Sequence, residues 1–142
     1  MASARVTRVL DVPADSLWKL VSAFGDTSWM PAGTQVTVHG VGPGMERRIA
    51  AGAGKLIRER LEAVDEQSRA LVYTIPENVP FPAADYRATM HVRPHGAGSE
   101  LDWSASFTPA GASEEDARKA IEGIYGVMIG WIEARVKATG GR

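Results

Sequence analysis

Three kinds of side chain in this sequence do not suit a plain apolar core. Glu59 stands between Ile57 and Leu61 in a run, Lys55 to Val64, that alternates. Ile57, Glu59, Leu61 and Ala63 fall on one side, and Arg58, Arg60 and Glu62 on the other. A carboxylate on the apolar side must be paired, hydrated or protonated, because burying it alone costs several kcal/mol. It has two readings: a salt bridge to an arginine, or a polar contact inside a ligand cavity, where a carboxylate also serves as a general acid or base. Arg47 and Arg48 follow the Gly42-Pro43-Gly44 turn, and alternation with Met45 and Ile49 puts Arg47 on the apolar side. Arg47 is either a structural partner for Glu59 or another acid, or a group that recognises a ligand carboxylate. Tyr73 and Tyr86 also fall on apolar faces, where each hydroxyl needs a partner from protein, water or ligand.

The remaining chemistry-bearing residues form no recognisable apparatus. His39, His91 and His95 lack metal-ligand spacing, so no metal is expected. His39 ends a strand and could reach a cavity mouth, whereas His91 and His95 are expected at the surface. No P-loop, G-x-G-x-x-G, G-x-S-x-G or Ser-His-Asp order is present, and no cofactor is implied.

The elements that must position these residues read as strand, one or two short helices, about six strands, and one long helix. Arg5 to Val12 is a strand, and Pro13 opens a helix that ends near Phe24-Gly25. Further strands are predicted at 35–39, 45–51, 55–64, 70–75, 86–92 and 101–107, linked by hairpin-length turns. Leu71, Tyr73 and Ile75, then Tyr86, Ala88, Met90 and Val92, then Leu101, Trp103, Ala105 and Phe107, share one face in their respective strands. Ser113 is a good N-cap for a helix to about Lys137. Its apolar stripe is read as Ala117, Ala120, Ile121, Ile124, Val127, Met128, Trp131 and Ile132, with Gly123, Gly126 and Gly130 interrupting it. Helix small positions facing a curved sheet leave room for a chamber. This segregation of strands from the long helix gives an α+β class.

Composition narrows the class further. The chain of 142 residues carries a formal charge of −1, with 23% charged residues and no cysteine. It is expected to be one domain, 1–142, with no disulfide and no basic patch for nucleic acid. No apolar run approaches a membrane span of about 20 residues, and no signal peptide is seen. The expected location is the cytoplasm and the expected assembly a monomer or homodimer.

Several local motifs, taken in order, resemble the START/Bet v 1-like superfamily of polyketide cyclase/dehydrase and lipid-transport proteins. They are Val12-Pro13-Ala14-Asp15-Ser16-Leu17-Trp18, Trp29-Met30-Pro31, and Gly42-Pro43-Gly44-Met45-Glu46-Arg47. Glu59-Arg60-Leu61-Glu62, Tyr73-Thr74-Ile75, Asp85-Tyr86-Arg87-Ala88 and Ser113-Glu114-Glu115-Asp116-Ala117-Arg118 are similar to the abscisic-acid-receptor branch. The resemblance covers nearly the whole chain. It implies a helix-grip fold: a seven-stranded antiparallel sheet wrapped around a long C-terminal helix, with two short helices closing one end. It also implies an apolar cavity, with Glu59, Tyr73, Ile75, Tyr86, Ala88, Ala120, Ile124 and Met128 at ligand-contacting positions. Trp103, on the same inward face, joins that ligand-binding set. The hormone-receptor gate and its carboxylate-neutralising lysine have no counterpart here. Ala51-Gly52-Ala53-Gly54 occupies the gate position, so hormone sensing is not implied. Val79-Pro80-Phe81-Pro82 matches the second gate segment and would make a stiff lid.

Three functions follow from the resemblance. The first is binding or transport of a small hydrophobic or amphipathic molecule. The second is a cyclase/aromatase-type enzyme with Glu59 as base and Tyr86 or Arg47 stabilising an enolate; no catalytic residue is assured. The third is a co-chaperone-like interaction module, which an exposed apolar patch around Trp29 and Phe81 would support. A closed cavity above about 300 Å3 would favour the first two, and a filled interior the third.

Overall fold

The computed structural model describes residues 1–140. Its strands are β1 (Ala2–Leu10), β2 (Val36–His39), β3 (Glu46–Ala50), β4 (Leu56–Asp65), β5 (Ala70–Ile75), β6 (Ala83–His95) and β7 (Gly98–Pro109). Helix α1 (Ala14–Ser22) follows β1, and helix α2 (Glu114–Ala138) closes the described chain. All seven strands join one antiparallel sheet in the order β1-β7-β6-β5-β4-β3-β2. The helix-grip fold is therefore present. β2 to β7 form a continuous meander, and β1 adds to the outside of β7.

The second short helix does not form. Residues 23–34 run as successive turns, closed by bonds such as Asp26 N–H to the Ala23 carbonyl (2.8 Å) and Met30 N–H to the Thr27 carbonyl (3.0 Å). Gly25, Pro31 and Gly33 break any longer helical run, and Asp26 caps the Ser28 amide at 3.0 Å.

Two irregularities curve the sheet around α2. Register shifts between Leu61 and Ala63 in β4, and between Ala84 and Arg87 in β6, where Asp85 has φ 53°. The β4 shift corrects the expected alternation: Leu61 is buried, but Ala63 is exposed. At the β6–β7 hairpin, Gly98 lies so close to β1 that a Cβ there would be 2.5 Å from the Leu10 carbonyl oxygen. Only glycine lets the strands approach that closely.

Helix α2 is capped by the Ser113 hydroxyl, which accepts from the Asp116 amide at 3.1 Å. Its buried line is Ala117, Ile121, Tyr125, Ile129, Ile132 and Val136. This differs from the predicted stripe: Ala120 is exposed, Val127 is 49% exposed, and Ile124, Met128 and Trp131 lie half-buried on one flank. The same helix shields the outer edge of β1. Glu122 accepts from the Arg5 amide (3.0 Å), Glu133 from the Asp11 amide (2.9 Å), and Arg118 Nε donates to the Ser3 carbonyl (2.9 Å). These contacts occupy backbone groups that would otherwise template another chain.

The outer face of β3 and β4 carries a separate ion cluster. The Glu46 carboxylate, 7% exposed, accepts from Arg48 (3.0 Å), Arg58 (2.9 Å) and Arg60 (3.0 Å). The hydrogen bonds, led by that from Arg58, outweigh burial and lower the Glu46 pKa to about 2. A depressed folded-state value means that this stabilisation is complete above the unfolded value and is lost as pH falls through the folded one. Acid unfolding should therefore gain a component between pH 4.5 and about 2. Glu46→Gln should flatten that limb in a pH series of urea melts, and an unchanged limb would assign the acid sensitivity elsewhere.

Candidate functional site

The antiparallel register places Arg47 directly opposite Glu59. Both side chains point inward, so cross-strand neighbours meet on the concave face. Arg47 Nε donates to Glu59 Oε1 at 2.5 Å, and Arg47 Nη1 donates to the Phe24 carbonyl at 3.2 Å. The pair is largely enclosed, with side-chain exposure of 5% for Arg47 and 13% for Glu59. Aromatic rings surround the guanidinium: its Cζ is 4.0 Å from the Phe24 centroid, 5.7 Å from Trp29 and 5.9 Å from Tyr73. A cation over a ring face at these distances is attracted by the ring quadrupole.

Above this pair is a solvent-open cleft of about 230 Å3. The turns after α1 contribute Trp29, Met30, Pro31 and Thr34, and the sheet contributes Arg47, Ile49, Glu59 and Trp103. The flank of α2 contributes Met128 and Trp131. Apolar and aromatic groups make its walls, and the ion pair is its polar floor. Larger depressions exist, of about 530 Å3 beside Pro13 and Arg69, about 450 Å3 on the outer sheet face by Arg5 and Arg87, and about 240 Å3 between Lys19 and Arg135, but polar groups make up a far greater share of their walls than of the cleft's. They resemble ordinary surface relief more than a site built to bury an apolar ligand.

Behind the cleft the space between sheet and helix is filled. Trp103, 1% exposed, stacks on the fully buried Tyr125 with centroids 4.5 Å apart and planes 15° apart. Trp103 Nε1 donates to the Tyr73 hydroxyl at 3.2 Å, and the hydroxyls of Tyr86 and Tyr125 are hydrogen-bonded to each other. Burial, before any other cause, pushes all three tyrosine pKa values up, so these hydroxyls stay neutral at ordinary pH. A space of only about 10 Å3 remains among Leu20, Phe24, Met90 and Ile132. Among the described residues the small helix positions do not open onto a closed chamber: Tyr125 and Ile129, which the predicted stripe omitted, fill the space between helix and sheet.

The sequence-predicted residues separate into distinct places. Glu59, Arg47, Trp103 and Met128 meet at the cleft. Tyr73 lies beneath Arg47. Tyr86, Ile75 and Ala88 are buried, and Tyr86 bonds to Tyr125. None of these three lines the cleft. Ile124 lies half-buried on the α2 flank, outside the cleft lining, and Ala120 faces solvent. His39 is exposed and hydrogen-bonded to Thr37 Oγ1 at 3.1 Å, away from the cleft. Phe81 packs on Tyr86 at 5.5 Å, so its proline-rich segment does not cover the opening. Trp29, Met30, Pro31 and Thr34 are the lining residues that neither strand alternation nor the predicted helix stripe selected. The Trp29-Met30-Pro31 cluster was the available signal for the first of them. Among the described residues no cluster of His, Asp and Glu could hold a metal, and no helix is long and apolar enough to cross a membrane.

A family model described as polyketide cyclase / dehydrase and lipid transport matches residues 1–137. The chain belongs to this family. Solved structures agree. A Thermobifida fusca protein is 31% identical over 95% of this chain and 93% of its own, with a TM-score of 0.80. A Bacillus thuringiensis protein is 27% identical over 94% and 98%, with a TM-score of 0.79. Norcoclaurine synthase from Thalictrum flavum, solved with dopamine and hydroxybenzaldehyde, is 19% identical over 96% and 86%, with a TM-score of 0.73, and shares the fold. No curated protein matches the sequence.

Proposed function

We propose that this family member binds a small apolar or amphipathic molecule in the cleft, and sequesters or carries it. The carrying observation is the cleft itself: three tryptophans and Met128 enclose an apolar space whose floor holds a single ion pair. Apolar walls supply affinity at roughly 25 cal/mol per Å2 buried, and a few polar groups fix orientation. Membership of a family that includes lipid-transport proteins supports this reading. Norcoclaurine synthase, solved with dopamine and hydroxybenzaldehyde on the same fold, supports a ligand of that size.

The cyclase reading is less well served. Glu59 and Arg47 both reach the cleft, but as an ion pair that holds the carboxylate against its cation, and the Tyr86 hydroxyl is committed to Tyr125 and is absent from the cleft lining. The filled interior is the outcome that favours the interaction module, but that reading lacks its patch, because Trp29 is 7% exposed and Phe81 is packed on Tyr86. Native mass spectrometry of the protein as expressed tests the proposal. A small organic adduct is expected, and Met128→Trp, which fills the cleft, should remove it while leaving the melting temperature nearly unchanged. Adduct-free protein whose tryptophan emission no ring compound alters would count against a binding role.

A further inference from the structure

The geometry points to the chemical class of the ligand: an uncharged molecule of one or two fused rings, carrying a hydroxyl or amide group that both donates and accepts. We infer this class from the size of the cleft and the charge state of its floor, and the inference rests on the cleft being the binding site.

Size comes first. An apolar cavity of about 150 Å3 accommodates one benzene ring, and drug-sized ligands occupy about 300–1,000 Å3. At about 230 Å3 the cleft lies between these, with room for two fused rings or one ring with a short substituent. It cannot lengthen inward, because Trp103 forms its end wall and Tyr125 backs Trp103 in face-to-face stacking. Tyr125 is itself held by its bond to Tyr86. A four-ring skeleton or a long acyl chain would have to displace that stack.

Polarity follows from the ion pair. Arg47 and Glu59 neutralise each other, so the floor carries no net charge to offset that of a ligand. An incoming carboxylate meets the Glu59 charge beside the guanidinium, and an incoming ammonium meets the reverse. Either must shed its water for little return. The floor does offer hydrogen bonds. Glu59 Oε1 is taken by Arg47, whereas Oε2 has no protein partner among the described residues. Since no sealed side-chain oxygen or nitrogen there lacks a partner, Oε2 is reachable from the cleft that Glu59 lines. Arg47 Nη2 is likewise without a protein acceptor. One acceptor and one donor on two residues that line the same cleft match a hydroxyl or amide, which can give a hydrogen bond to Glu59 and receive one from Arg47.

Isothermal titration at neutral pH with 2-naphthol, 2-naphthoate, naphthalene and estradiol tests this class. 2-Naphthol should bind at least tenfold more tightly than 2-naphthoate and more tightly than naphthalene, and estradiol, a four-ring phenol, should bind weakest of the neutral pair of phenols. Glu59→Gln leaves the guanidinium charge uncompensated, so 2-naphthoate should gain on 2-naphthol by several-fold or more. Equal binding of naphthol and naphthoate by the unaltered protein, or tight binding of estradiol, would overturn the inference while leaving the cleft as a binding site. Should Glu59→Gln fail to fold, the comparison within the unaltered protein decides alone. Should no ring compound bind, the binding reading falls and this one with it.

Discussion

Trp103→Ala is expected to lower the unfolding free energy by about 3–5 kcal/mol, the range for removing a large aromatic from a core that cannot collapse around the gap. The reasons are local. Trp103 is 1% exposed, stacks on Tyr125 at 4.5 Å, and donates its indole N–H to Tyr73. Its loss removes the stacking partner of one buried tyrosine and the hydrogen-bond donor of another, and both rings are fixed by neighbours that leave little room to move. Phe24 lies 5.9 Å from Tyr73, and Tyr86 lies 6.2 Å from it. The same substitution should open the cleft toward Tyr125 and raise its affinity for four-ring probes. Trp103→Phe separates the contributions: it keeps an aromatic surface against Tyr125 and should cost about 1 kcal/mol for the lost indole hydrogen bond, plus a packing loss smaller than that of alanine. Urea denaturation followed by circular dichroism, with estradiol titration of each folded variant, measures both effects. A loss below 1 kcal/mol for the alanine variant would mean that the Trp103–Tyr125 stack is not what fills the interior.

That stack also explains which parts of the site could be read from the sequence. Strand alternation alone put Tyr73, Tyr86, Ala88 and Trp103 on the inner face, because a period of two leaves only two choices and the other choice would turn Thr74, Arg87 and Asp102 toward the helix. It also put Arg47 and Glu59 on the inner face, and their pairing needed only the turn at Ala51 to Gly54 to set the register. The helix was harder. Of the predicted stripe, Ala117, Ile121 and Ile132 are buried, whereas Ala120, Ile124, Val127, Met128 and Trp131 form an apolar flank beside the line completed by Tyr125 and Ile129. Both stripes are apolar, and which one faces the sheet is decided by the fit of Tyr125 over Trp103, a contact between residues far apart in sequence. The β4 bulge was illegible for a similar reason. It lies in the pairing of β4 with β5, and no turn residue marks it in Leu61-Glu62-Ala63.

Arg47→Met should destabilise the protein by about 3–5 kcal/mol, the cost of leaving one member of a buried ion pair without its partner. Glu59 would retain a mostly enclosed carboxylate with no cation against it, and the Phe24 carbonyl would lose its donor. The double variant Arg47→Met with Glu59→Leu should recover most of that loss, because two apolar side chains of similar volume need no desolvation and can pack against Phe24, Trp29 and Tyr73. A double-mutant cycle completed with Glu59→Leu alone isolates the coupling, since the two residues touch directly. A double variant as unstable as Arg47→Met would place the contribution of Arg47 in its stacking on the aromatic rings and its bond to the Phe24 carbonyl, not in its charge. Recovery of stability has a second consequence for function. If an apolar pair serves the fold as well as the ion pair does, then folding does not require charge at positions 47 and 59, and the double variant should bind naphthalene and 2-naphthol with nearly equal affinity. Stability regained together with that lost preference would locate the purpose of the pair in the cleft, where Glu59 and Arg47 meet the ligand.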